Sequence, residues 1–369
     1  MLHRRSDPRH VPVRASSGYP LSRLSQLLDD RIKDVLATFG PKPFLADPAS
    51  ASGMAEIRPA IPAALLKAEI EALPAEQHLI ISGQFLVCCA HAEQFPWCLQ
   101  EIGRLREMTF RAAGEGTGKA SDVDHFDAYY LHLFVWDTKS GAIVGAYRLG
   151  VADEIVARYG KPGLYTQSLF SYGDRALEAM NPAIELGRSF VRAEYQRSFA
   201  PLMLLWRGIG RFIVQHPQYA ILFGAVSISN DYEPASRRLI VDFLSANNIE
   251  KNLARHVKPR RPFRHSATPG YDRAEFAALN DIEDVSRMVR QIERDNKGVP
   301  ILLKQYLKLG GRLLAFNADK HFNDALDGLI MVDLRASDPR VLARYMGEEG
   351  ATAFLSRHGI GAHSQRQVT

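Results

Sequence analysis

The chain has little cysteine, no long apolar run and no internal repeat, and each shortage removes a class of protein. Three cysteines occur in 369 residues, two of them adjacent (Cys88, Cys89) and the third at Cys98. That spacing supports neither a disulfide framework nor a paired CxxC metal site, and a reducing compartment, the cytoplasm, is the simpler expectation. No apolar run approaches the roughly 18 residues a membrane-spanning helix requires, and the first 25 residues are rich in arginine and proline without an apolar signal core. An integral protein and export by a signal peptide are both unexpected. Nucleophile elbows and Cys-His pairings are also missing, which argues against a covalent enzyme intermediate. What is there is ordinary globular material, 46% hydrophobic and 24% charged, enough for one large core or two modest ones.

The net charge is only +5, but the basic residues are bunched. Arg4, Arg5, Arg9, Arg14 and Arg23 stand against Asp7 alone. Lys251, Arg255, Lys258, Arg260, Arg261 and Arg264 occupy a stretch with no acid. Such clusters attract nucleic acid, anionic headgroups or an acidic carrier protein; the bland alternative is a solvated loop and tail.

Residues 1–20 are expected to be a disordered tail. Leu21, Leu24, Leu28, Ile32, Val35 and Phe39 recur at helical spacing, predicting an amphipathic helix that docks on the domain or lies on a membrane surface. A Pro/Ala/Ser-rich linker follows to residue 62. The organised domain is expected over 63–350, with a basic insertion at about 247–298 and a flexible tail at 351–369. Within it the sequence predicts a helix at 63–72, a strand at 85–91, a helix at 95–111 and a Gly-rich loop at 113–121. Strands are expected at 129–137, 142–149, 183–192 and 219–228, with helices at 199–215 and 234–246. The last third gives a helix at 300–309, strands at 312–317 and 328–334, and a helix after Asp338. This order implies an α+β fold with a mostly antiparallel sheet and a few crossing helices.

Several polar residues stand out. Arg106 falls inside the apolar arc of the 95–111 helix, so it either snorkels at the edge or meets a buried acid or anionic substrate. Asp122, Asp124, His125 and Asp127 cluster before the first hairpin and suit an ammonium group better than a metal, since no matching histidine or cysteine ligands are in sight; plain solvation is the alternative. Glu185 and Arg188 flank Gly187, and glycine inside a strand often marks a bulge that re-aims side chains and frees backbone N–H groups for a developing oxyanion. Arg197 and Ser198 open the following helix, where N–H groups and helix dipole favour a phosphate. His132 and Asp137 have the HxxxxD spacing of glycerolipid acyltransferases, but an odd spacing on a strand sends them to opposite faces.

Taken in order, Arg106-x-x-x-Phe110, Asp124-His-Phe-Asp127, Gly145-Ala-Tyr-Arg148-Leu, Glu185-Leu-Gly-Arg188, Tyr195-Gln-Arg197-Ser198 and Leu-Lys-Gln-Tyr-Leu-Lys-Leu-Gly-Gly ending at Gly311 resemble the GNAT-related N-acyltransferases of the ornithine-lipid synthase group, often labelled hemolysin-like. More distantly they resemble acyl-homoserine lactone synthases. The likeness spans about residues 80–350. It implies a GNAT fold, an acyl carrier protein (or acyl-CoA) thioester as donor, an amino acid such as ornithine as acceptor, no permanently bound cofactor or metal, and no nucleic acid. A lipid product would bring the protein to the inner face of the membrane. On this reading Glu185 is the base, backbone donors around Ser189, Phe190 and Val191 hold the oxyanion, and Tyr232 protonates the departing thiolate. Arg106, Phe110, Asp124, Asp127, Arg148 and Arg188 shape the acceptor pocket, and Arg197 and Ser198 hold the phosphopantetheine phosphate. The rival readings are a homoserine-lactone synthase and a non-catalytic lipid- or carrier-binding protein.

Overall fold

Apolar side chains alternate along eight segments of the chain, and in the computed structural model, which describes residues 54–264 and 281–360, these segments pair into one sheet. The strands are β1 (His78–Ser82), β2 (Phe85–His91), β3 (Leu131–Asp137), β4 (Ala142–Val151), β6 (Ala183–Val191), β7 (Ile221–Ile228), β9 (Arg312–Asp319) and β10 (Ala325–Asp333). Their order is β1-β2-β3-β4-β6-β7-β10-β9, and every pair is antiparallel except β6–β7. A separate two-stranded ribbon joins β5 (Phe170–Tyr172) to β8 (Val257–Pro259).

Period-two alternation gives the sheet two apolar faces. On one, Val87, Leu133, Tyr147, Leu186, Leu222 and Ile330 pack against the helix Ala200–Gln215 and the helices of the last third. On the other, Cys88, Phe134 and Ala146 meet the helices Ala63–Ala72 and Pro96–Ala112. Farther along that second face, Phe223, Leu329 and Met331 meet the helices Ala152–Tyr159 and Asp174–Met180.

Two irregularities in β6 shape the molecule's centre. Its register against β4 slips by one residue: Ala146 faces Phe190 while Arg148 faces Gly187, so Arg188 and Ser189 together oppose Tyr147. This is the bulge expected near Gly187, and the unusual backbone belongs to Arg188, with φ of 49°. Meanwhile the parallel ladder to β7 ends after three pairs, at Glu185↔Phe223, and the strands part. Gly224 sits at the parting: a Cβ there would lie 2.1 Å from the Leu186 carbonyl oxygen.

The expected amphipathic helix at 21–39 and the tail before it lie outside the described residues, as do part of the basic insertion and residues 361–369. Two boundaries change. Residues 54–62 are tied down, with Ala55 and Arg58 donating to the carbonyls of Gly118 and Ala120. The tail expected from 351 begins as a helix, Glu348–Arg357, because Ala351, Phe354 and Leu355 bury on the helix Ala200–Gln215 side of the core. Among the described residues no helix is long and apolar enough to cross a membrane.

Candidate active site

The helix Pro96–Ala112 and the short turn His125–Ala128 bring arginines and aspartates together beneath the sheet. Arg106, 1% exposed, makes a bidentate pair with Asp127 (Nη1–Oδ1 3.1 Å, Nη2–Oδ2 2.7 Å) and places Nε 2.9 Å from Asp122 Oδ2. Arg148 on β4 reaches Asp124 Oδ1 at 2.7 Å and Asp127 Oδ1 at 3.2 Å. Its guanidinium lies 5.1 Å from the ring centroids of Tyr130 and Tyr165 and 5.4 Å from that of Phe126. Arg188 leans toward Asp122 and Asp124 at longer range, 3.7 and 3.6 Å, and over Tyr165 and Phe322. Three cations thus face three anions. Burial alone would raise the Asp127 carboxyl, yet Arg106 and Arg148 outweigh it and hold that group well below the usual range. Burial likewise drives His132, whose Nε2 sits 2.9 Å from the Asp127 carbonyl oxygen, down to about 4.

A cavity of about 330 Å³ opens where β6 leaves β7. It runs through the sheet. On one face it is walled by Leu186, Val226, Leu202, Leu205, Ile301 and Leu302, with Tyr147 and Tyr306 beside them. On the other it meets Phe110, Tyr165, Arg188, Glu115, Ser227 and Asp327. The bulge residues Gly187 to Val191 form its side wall, and a Cβ on Gly187 would enter open space. One end suits a hydrocarbon chain and the other a small zwitterion.

Most of the residues singled out in the sequence therefore converge, and two do not take the expected places. Glu185 is absent from the cavity wall. Its carboxylate accepts from the Tyr130 hydroxyl, from Tyr165 N at 3.1 Å and from Thr166 N at 2.6 Å, and is 1% exposed. Burial raises this carboxyl, opposed by the Thr166 and Tyr130 hydrogen bonds. Its lone pairs are engaged in fixing the Tyr165–Ser168 turn, whose Tyr165 does line the cavity. Tyr232 is also elsewhere: its hydroxyl donates to the Gly298 carbonyl at 2.8 Å, and burial pushes it up to about 12. The bulge lies beside Gly187 as expected, and its positive φ belongs to Arg188. Arg197 and Ser198 are exposed on the turn between β6 and the helix Ala200–Gln215, with Ser198 Oγ accepting from Ala200 N at 3.1 Å. His132 and Asp137 are separated as expected, the first bound to Asp127, the second accepting from Tyr195 and Gln84.

Glu115, Tyr165, Ser227 and Asp327 line the cavity without having been singled out. Asp327 had a signal: it is the lone charge in the apolar run Ala325 to Val332. All three cysteines are buried away from the cavity, and desolvation raises every thiol, Cys88 to about 12.

A family model described as "Acetyltransferase (GNAT) domain" matches residues 105–207, from the arginine helix through the bulge into the helix after β6. A glycine N(alpha)-acyltransferase of Bacteroides thetaiotaomicron is 32% identical over 262 residues, covering 67% of this chain and 77% of that protein. An L-ornithine N(alpha)-acyltransferase of Agrobacterium fabrum is 27% identical over 252 residues, covering 66% and 78%. The chain belongs to the GNAT-fold N-acyltransferases. Among solved structures, a CoA-dependent acyl-homoserine lactone synthase aligns over 71% of this chain and 95% of its own at 13% identity, with a TM-score of 0.34. GNAT acyltransferases take acyl-CoA or acyl carrier protein thioesters as donors.

Proposed function

We propose that this N-acyltransferase moves a long fatty acyl group, with or without a 3-hydroxyl, from acyl carrier protein to the α-amino group of an amino acid such as ornithine, in the making of an aminolipid. The observation that carries the reading is the through-sheet cavity, apolar at one mouth and charged at the other, with a bulged strand between them.

In this reading the fatty chain lies among Leu202, Leu205, Ile301 and Leu302. The thioester carbonyl sits against the bulge, where β6 has lost β7 as a ladder partner. Backbone N–H groups in the Ser189 to Val191 stretch are the donors for negative charge developing on the carbonyl oxygen. The pantetheine arm leaves along Val191 and Gln196 toward the turn carrying Arg197 and Ser198, where the helix N-terminus favours its phosphate. Arg188 meets the acceptor's carboxylate, braced by Asp122, Asp124 and the Tyr165 and Phe322 rings. Attack is direct: among the described residues neither a cysteine nor a histidine that could activate a hydroxyl lines the cavity. Glu185 acts one step removed, as the residue that positions Tyr165.

Incubating the purified protein with long-chain acyl carrier protein or acyl-CoA and a panel of amino acids, with mass detection, tests this. N-acylated amino acids are expected, more readily from the carrier protein. Formation of a lactone from adenosylmethionine instead would move the chain to the homoserine-lactone reading, and no transfer to any amine would leave it as a binding protein.

A further inference from the structure

The acceptor end of the cavity holds a polar group that the transfer described so far does not use. Asp327 stands in β10 directly opposite Ser227 on β7 and Asn317 on β9, so the three share the sheet face that looks into the charged mouth. Ser227 Oγ donates to Glu115 Oε2 at 3.0 Å, which brings a second carboxylate to the same wall. Asp319, two residues along β9 from Asn317, is a third and is buried. Asp327 is 6% exposed, lines the cavity, and its Oδ2 has no hydrogen-bond partner. Among the described residues neither Asp327 nor Glu115 has a lysine or arginine within ion-pair distance. A buried carboxylate oxygen without a donor is expensive, by roughly 1–3 kcal/mol or more, and native structures keep few of them unless a ligand completes the site. The opposite wall carries Arg188. An amino acid with its carboxylate on Arg188 has its ammonium directed across the opening.

We infer that Asp327, on the amine-acylation reading above, is the carboxylate that receives the acceptor's ammonium nitrogen and takes its proton, with Glu115 beside it sustaining the negative potential. The ammonium gives one proton to Asp327 Oδ2. The freed lone pair forms the C–N bond to the thioester carbonyl carbon, and the carbonyl π pair moves to oxygen against the bulge. When that pair returns, the C–S bond breaks, the thiolate leaves with its electrons, and the second nitrogen proton ends on sulfur. Amide, thiol and a proton on Asp327 remain, and the last is returned to solvent. The electrostatics agree: burial, then Asp319 and Glu115, push the Asp327 carboxyl well above the usual range, against the pull of Arg188 and a hydrogen bond with Asn317.

The test compares wild type with Asp327→Asn, Asp327→Glu and Glu115→Gln, using the donor and amino acid that wild type accepts best. Asp327→Asn is expected to lower kcat/KM for the amino acid by at least about 100-fold, the lower end for loss of a positioned base. Donor binding, followed by calorimetry without amino acid, is expected to stay within about threefold and reports on folding. Asp327→Glu should recover part of the loss. Glu115→Gln removes a like charge, so the acid limb of kcat/KM should move to lower pH, a readout that stands even where the Asp327 variants fail to fold. An Asp327→Asn enzyme keeping more than a tenth of wild-type acceptor kcat/KM, or an acid limb that Glu115→Gln leaves in place, overturns the assignment. A wild type that acylates no amine sinks the functional reading itself, which is a separate result.

Discussion

Arg106, Arg148 and Arg188 would each be costly to bury alone, and Asp122, Asp124 and Asp127 equally so; together they leave the interior close to neutral. Asp127 is the shared member, bound to two guanidiniums at once. Replacing it by Asn strands both, and Asp127→Asn should lower unfolding free energy by about 3–5 kcal/mol in urea titrations at neutral pH. The sign of the pH effect follows from the direction of the shift. A carboxyl held below its unfolded value of about 3.9 contributes fully above that pH and loses its contribution only as pH falls further, so neutral buffer shows all of it. His132 behaves differently. Its value of about 4 in the fold lies under the unfolded value of about 6.5, so the unfolded chain takes up the proton first. Stability should therefore fall as pH drops from about 6.5 to about 4, by up to roughly 1.4 kcal/mol per unit, and His132→Gln should flatten that slope in pH-dependent unfolding curves.

Strand-level behaviour turns on the place where β6 and β7 part. Gly224 permits the close approach that ends the ladder, and a methyl group there meets the Leu186 carbonyl oxygen, which backbone cannot easily yield. Gly224→Ala is expected to cost about 1–3 kcal/mol and to raise KM for the acyl donor more than KM for the amine, since the shift falls on the apolar wall proposed to hold the donor. Thermal unfolding and separate saturation curves would show both. The parting also marks where sequence reasoning stopped. Period-two and helical spacing placed β2, β3 and β4, β6 and β7 to within two residues at nearly every end, because each buries a regular apolar face. The region between 150 and 182 carried no such rhythm, and its two helices, turn and ribbon strand went unassigned; that turn supplies Tyr165 and closes over Glu185. A start of β10 at 328 instead of 325 left Asp327 outside any strand. The bulge was legible from Gly187, yet its direction was not: the extra residue turns Arg188 toward the acids and leaves Glu185 facing tyrosines. Side-chain facing after a bulge depends on which neighbouring residue absorbs the slip, and that is decided by the partner strands.

At the scale of the whole molecule, the proposed function requires that a donor carried by another protein find the apolar mouth. The exposed cations Lys251, Arg255, Lys258, Arg260 and Arg261 follow the helix Pro234–Asn247 in the chain, and the β8 ribbon holds Lys258 outward. Arg260 spends one nitrogen on the Gln167 carbonyl and Arg261 pairs at 3.3 Å with exposed Asp324, so the stretch is anchored while most of its charge stays solvated. Such a surface steers an acidic partner at long range and adds little to a small neutral one. With acyl carrier protein as donor, kcat/KM should fall steeply between about 50 and 300 mM salt, over which the screening length shortens to well under 10 Å. With acyl-CoA the fall should be shallower. Lys258→Glu combined with Arg255→Glu should raise KM for the carrier donor about tenfold, leave KM for acyl-CoA within about twofold, and remove most of the salt dependence, because exposed charges act on encounter more than on the bound thioester. Equal losses with both donors would place the carrier elsewhere, with the exposed turn at Arg192 and Arg197 next to be tested, since on the proposed reading the pantetheine arm leaves the cavity there.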